Sequence, residues 1–292
     1  MIIRTTLILL LLAGSSFCEE TLKKGLLERI IQPKVSLESS YLSNADIKGS
    51  EGSVEVHKNT LRVNNDIIGF TYSNWAFAWD NIENLPFGDK KTSPIKEMHA
   101  FKVNINVPYF VNKKWFILNS ASFRSSFEKS MSDSYGAGLF SFASYKIDES
   151  HTIQMGAFAN YHKVSTLVLP VISYSYRARQ YDGLQVVLGF PRTYIGYHAN
   201  KATLFKLGMI FSQSVIKLSE QSSIENSGFI EAKDYMGNIG VSHQFNKHLK
   251  IESNILYSIK RDFTIFNAQG NEQSSYSIEP SIGASIRAVW LF

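Results

Sequence analysis

The sequence predicts an all-β fold: an antiparallel barrel crossing a membrane on about twelve strands, with ten and fourteen as the neighbouring even counts. Three observations carry that expectation. Apolar and polar residues alternate with a period of two, in segments long enough to cross a bilayer when tilted. Charged residues are only 19% of the 292, below the roughly 25% usual in soluble domains, while aromatics reach 13%. The mean hydropathy is nevertheless −0.09, as expected where an apolar surface and a polar interior draw on alternate residues of the same strands.

Residues 1–18 read as an export signal. Arg4 precedes an apolar core from Leu7 to Ala13, and small residues follow at Gly14, Ser15 and Ser16, which places cleavage near Cys18. The run is too short to span a bilayer as a helix. Cys18 is the only cysteine, so the exported chain has no disulfide, and Phe17 before it disfavours lipidation. In the segment 19–33, Leu22, Leu26, Leu27, Ile30 and Ile31 recur at helical spacing, which fits either a short amphipathic helix at the membrane surface or in a barrel mouth, or a loosely ordered leader. Residues 34–292 then read as one barrel domain without a linker or fixed-period repeat.

Within the barrel, "FKVNINV" sets Phe101, Val103, Ile105 and Val107 against Lys102, Asn104 and Asn106. A polar turn at Asn112 to Lys114 leads into Trp115, Ile117, Ala121 and Phe123, opposite Ser120, Ser122 and Arg124, and the pair forms a hairpin with one apolar and one wet face. The same alternation runs through Tyr135 to Ile147, Ile153 to Tyr161, Phe205 to Phe211, Tyr235 to Phe245 and Leu249 to Ile259. Parity directs Lys102, Asn104, Asn106, Arg124, Lys146, Asn160, Arg177, Lys250, Glu252, Lys260, Glu279 and Arg287 into a mildly basic lumen, unless a bulge inverts a strand.

Aromatics gather near segment ends, as girdles at two membrane interfaces would require. Short turns at 112–114, 148–150 and 246–248 contrast with longer polar stretches at 80–95, 125–134, 220–228 and 267–275. Tight turns on one rim and long loops on the other match the asymmetry of outer-membrane barrels.

The last segment, "SIGASIRAVWLF", keeps Ile282, Ala284, Ile286, Ala288, Trp290 and Phe292 on one face. A final strand must pair with the first, because an unpaired amide has no water to turn to in lipid. Ile286, Ala288, Trp290 and Phe292 resemble the assembly signal read by the outer-membrane insertion machinery. Residues 169–292, through the Leu169-Pro170 start, the aromatic strand Tyr174 to Tyr176, "LGFPRTYIGY" from Leu188 to Tyr197 and the terminal Phe292, resemble an uncharacterised family of outer-membrane β-barrel proteins from Gram-negative bacteria. That resemblance implies fold and location, and carries no catalytic residues.

Other chemistry is sparsely signalled. His57, His99, His151, His162, His198, His243 and His248 show no metal-ligand spacing, and neither a Walker loop nor a G-x-S-x-G elbow is present. "YGAGLF" lacks the third glycine of a dinucleotide fingerprint, and Gly136 and Gly138 read instead as relief of crowding inside the barrel. No cofactor, metal or nucleic-acid partner is expected, since the net charge of +5 is scattered rather than striped. "GFPRTY" reads as a tight turn at Pro191. The expected function is a passive pore or small-solute channel, not an enzyme, with outer-membrane lipid and the insertion machinery as partners. The alternatives are a plugged structural or adhesive barrel acting through its long loops, and an outer-membrane lipid-modifying enzyme using an outward serine and histidine, for which His243 has the right parity.

Overall fold

The computed structural model describes residues 32–178 and 183–292. The expected signal peptide and the helix of the 19–33 segment lie outside the described residues. Among the described residues, fifteen strands run in chain order: β1 (Lys34–Asp46), β2 (Ser53–Asn64), β3 (Ile68–Asp80), β4 (Glu97–Phe110), β5 (Trp115–Phe127), β6 (Tyr135–Lys146), β7 (His151–His162), β8 (Thr166–Arg177), β9 (Gly183–Phe190), β10 (Arg192–His198), β11 (Thr203–Lys217), β12 (Phe229–Gln244), β13 (Leu249–Phe266), β14 (Glu272–Ile278) and β15 (Ser281–Leu291).

Each strand pairs antiparallel with its sequence neighbour through β13, and β15 closes the ladder by pairing with both β13 and β1. The strands β14 and β15 are two halves of one stave. Both lie against the 18-residue β13, separated at Glu279 and Pro280, where proline cannot donate to the ladder. The barrel therefore has 14 staves, an even count above the expected twelve. Two features hid the difference. Alternation is masked in β2 and β3, whose inward residues include Val54, Val56, Trp75, Phe77 and Trp79. The β9–β10 hairpin is also short, with 8 and 7 residues divided only by Pro191.

The outer face is apolar. Leu139, Ile172, Ile239, Ile255 and Ile282 each keep more than three-fifths of their surface exposed, which a soluble monomer rarely tolerates in one contiguous belt. Tyr109, Phe110, Tyr197, Phe245 and Phe292 lie toward one rim, and Tyr135, Tyr161 and Tyr257 toward the other, consistent with two interfacial girdles.

Turn chemistry sets the rims apart. At Asn65, Asn112, Asp148, Asn200 and Asn246, the side-chain oxygen accepts from the backbone N–H groups two and three residues on. This Asx geometry closes a hairpin in few residues, and all five turns lie on the rim that also carries both ends of the described barrel. The longer connections 81–96, 128–134 and 218–228 share the opposite rim. The stretch 267–275, expected as a long loop, is partly strand: 267–271 connects β13 to β14, and β14 begins at Glu272.

Inside, glycine matters where staves approach closely. A Cβ at Gly138 would lie 2.6 Å from Ser122 Oγ and 2.8 Å from Asn160 Oδ1, so the inward crowding expected there is present.

The long-loop mouth is not a simple ring. Above Pro191, β8 and β11 extend beyond the β9–β10 hairpin and lose it as a partner: the β8–β9 pairing starts at Ile172 and the β10–β11 pairing ends at Ile210. The tops of β11–β13 tuck inside those of β5–β8. Val215, Phe229 and Phe266, which parity would set outward, are buried and covered by Val164 from the β7–β8 turn. The ring of His162, on the inward face of β7, meets Phe229 edge-on at 5.4 Å. Lys217 of β11 pairs parallel with Phe127 of β5, and the Ser219 N–H donates to Glu128 Oε2 at 2.9 Å.

Candidate functional site: a two-zone lumen

The lumen divides into a charged zone toward the short-turn rim and an apolar zone toward the long loops. Alternation on β1–β3 builds both, because the inward residues change character along the strands. From the short-turn end, the paired inward positions of β2 and β3 read Arg62 with Thr71, Thr60 with Ser73, Lys58 with Trp75, Val56 with Phe77, and Val54 with Trp79.

In the charged zone, Glu252 gathers three cations. Its Oε1 lies 2.6 Å from Lys250 Nζ and 3.8 Å from Lys206 Nζ, and its Oε2 accepts from Arg287 Nη2 at 2.5 Å. A second pair joins Arg62 Nη1 to Glu38 Oε2 at 2.6 Å. Lys102 and Arg124 stand directly opposite one another across the β4–β5 ladder. Lys102 is exposed although it faces inward, so water reaches this part of the lumen.

The positions named from sequence fall as follows. Lys102, Asn104, Asn106, Arg124 and Asn160 face inward, and Lys146 and Arg177 lie near the short-turn rim on inward positions of their strands. Lys250, Glu252 and Arg287 meet in one cluster. Glu279 sits in the break between β14 and β15, where its N–H donates to the Asp46 carbonyl at 2.8 Å.

Lys260 is a correction. The β12–β13 register slips between Tyr235 and Met236, pairing Tyr235 with Lys260 but Met236 with Ser258. The extra residue, Ile259, inverts the remainder of β13. Lys260 therefore faces outward, 61% exposed and paired with Asp262 at 2.9 Å, while Arg261 turns into the lumen.

The apolar zone is a cavity of about 340 Å³ between the inner faces of β1–β3 and β11–β14. Trp75, Phe77, Trp79, Ile216, Ile230 and Phe263 supply its walls. The connection 81–96 forms its roof, with Leu85, Phe87 and Ile95 buried. Phe87 meets Trp79 and Phe263 edge-on at 5.7 and 5.2 Å, and Trp79 Nε1 donates to the Ile95 carbonyl at 2.7 Å. Within the roof loop, the Asp89 carboxylate accepts from the Thr92 and Lys91 N–H groups, which hold its pKa below the usual range.

At the cavity floor, the Lys58 ammonium lies 4.5 Å above the Trp75 ring, and Arg261 Nε donates to Asp234 Oδ1 at 3.0 Å. Lys58, Lys206, Asp234 and Arg261 were absent from the sequence-based set. The "NWAFAWD" segment carried a usable signal: its large aromatics alternate with Asn74, Ala76 and Ala78, so the bulky face and not the small one packs inside.

His243 faces outward, its Nδ1 is 2.9 Å from Thr203 Oγ1, and its ring packs on Phe245. Its partner is thus a threonine. Among the described residues, no group of three or more His, Cys, Asp or Glu is placed to hold a metal ion.

Among solved structures, the chain is similar to the NanC porin, at 10% identity over 86% of this chain and 98% of that one, with a TM-score of 0.34. It is similar to OprB of Pseudomonas putida at 10% identity over 93% and 96%, TM-score 0.38, and to a bacterial polysaccharide outer membrane secretin at 10% over 89% and 98%, TM-score 0.41. No family model and no curated protein matches the chain. At such identities and TM-scores the likenesses carry no functional argument, and the barrel rests on its own closed ladder.

Proposed function

We propose that the chain is an integral protein of a bacterial outer membrane, exported on residues 1–18, that passes small solutes along its lumen. The short-turn rim faces the periplasm and the long loops face outward. The likeness of residues 169–292 to uncharacterised Gram-negative barrels belongs to the same reading. The observation that carries it is a water-accessible, predominantly basic zone inside an apolar belt. There the inward cations Arg62, Lys102, Arg124, Lys206, Lys250 and Arg287 outnumber the carboxylates Glu38 and Glu252. Low-dielectric walls focus such a field, so anions concentrate in it.

Planar-bilayer recording of the refolded chain tests this. Small discrete steps are expected, with a reversal potential under a salt gradient displaced toward anions. Silence from inserted protein would instead favour the second reading, a filled barrel acting through its loops. One observation supports that reading: the packing of Leu85 and Phe87 into the mouth.

Barrel assembly gives a separate expectation. Phe292 is exposed on the outer face, and its N–H donates to the Pro33 carbonyl at 3.2 Å, beside the β1–β15 seam. Deleting Phe292 should lower the heat-modifiable, membrane-inserted fraction severalfold in cells while leaving refolding into detergent largely intact. An unchanged inserted fraction would sink the assembly role of Ile286, Ala288, Trp290 and Phe292.

A further inference from the structure

Arg261 is 6% exposed, and its Nε is engaged by Asp234, yet both Nη atoms are buried without a hydrogen-bond partner. Leaving donors of a buried guanidinium unsatisfied is unfavourable, and such groups are rare outside sites that receive a ligand or an ordered water. Arg261 is one of the residues lining the floor of the apolar cavity, beside Asp234 and within the same chamber as Lys58, and its covered Nη atoms lie just behind that lining. One end of the chamber is cationic and the other is built from Phe77, Trp79, Phe87 and Ile95. The volume of about 340 Å³ lies at the small end of ligand sites, which span about 300–1,000 Å³.

We propose that this chamber binds a single-chain aliphatic carboxylate, with the headgroup on the Nη atoms of Arg261 and the hydrocarbon tail directed toward the roof. Charge and shape select this class. The carboxylate matches the planar fork of an arginine. A neutral hydrocarbon leaves the donors of Arg261 unpaired, and a small anion leaves the aromatic walls unfilled. The inference names a solute class for the channel proposed above, and binding is read independently of conductance.

The test uses the refolded full barrel in amphipol, with Trp115→Phe and Trp290→Phe so that Trp75 and Trp79 report. The expected result is saturable quenching of tryptophan emission by 10-bromodecanoate, displaced by decanoate and not by acetate. The paired change Asp234→Asn, Arg261→Gln removes both members of this ion pair together, so neither is left without the other, and Lys58 keeps Glu38 as a nearby carboxylate. It should weaken the carboxylate by about tenfold or more, the scale of a lost charged hydrogen bond, and leave 10-bromodecanol unaffected. Ala232→Phe, which fills the chamber from β12 and leaves its charged residues in the sequence unchanged, should abolish binding of both probes. The proposal is overturned by non-saturable quenching, by equal competition from acetate, or by unchanged decanoate affinity in the paired variant. A conducting barrel without decanoate binding refutes this inference alone, and a silent barrel that binds decanoate refutes only the channel.

Discussion

Replacing Leu85 and Phe87 together with serine is expected to raise single-channel conductance severalfold while the barrel stays folded. Leu85 is 1% exposed and Phe87 8%; Phe87 holds the 81–96 connection down over the lumen by contacts with Trp79, Phe263 and Tyr276, and Leu85 is buried in the same apolar cluster. Truncating a buried leucine or phenylalanine costs about 2–5 kcal/mol. That loss falls on a loop rather than on the strand ladder, so it acts by releasing the roof and not by unfolding the staves. The Asx contacts of Asp89 keep the loop tip internally ordered, and the released segment should swing as a unit. Heat-modifiable mobility establishes that the barrel is intact, and bilayer recording reads the conductance. Conductance unchanged from the parent in a folded double variant would show that the roof is not what closes the mouth.

Glu252→Gln is expected to destabilise the barrel and sharpen its anion preference together. Glu252 keeps 8% of its side-chain surface and is the shared partner of Lys206, Lys250 and Arg287. Removing one member of a buried ionic cluster typically costs about 3–5 kcal/mol, because the remaining charges lose their compensation. Lys250 and Arg287 each retain 33% exposure, so water takes up part of the deficit, and about 2–3 kcal/mol is the expected loss. The same change deletes a negative charge from a zone already rich in cations, and the reversal potential should move further toward anions. A urea unfolding midpoint and a salt-gradient reversal potential measure the two effects. If stability falls but selectivity does not move, the Glu252 cluster is structural and lies off the path of the ions.

The local pattern of the chain was sufficient for several features. A period of two over "FKVNINV" and its partners specifies which residues meet lipid, since side chains on a strand alternate by geometry. Asn112, Asp148 and Asn246 mark the tight rim, because their side chains close the turn without help from elsewhere in the fold. The alternation from Ile282 to Phe292 required a partner strand, and β1 supplies it. Inward placement of Lys102 and Arg124 follows from the same rule applied within one hairpin.

Tertiary structure decided the rest. The count of 14 staves depends on β9 and β10, too short to stand out alone, and on β2 and β3, where apolar residues occupy both faces. The exchange of Lys260 for Arg261 depends on one extra residue opposite Tyr235 and Met236, and a slip of one residue moves every later side chain to the other face. The chamber exists because β1–β3 and β11–β14, distant in the chain, face one another across a mouth that β11–β13 enter from the side. Register and closure are chosen by hydrogen bonds between strands that the local pattern of either strand leaves unspecified. The sequence by itself therefore determined which surfaces are apolar and where the chain turns, while the ladder decided which charge stands at the cavity floor.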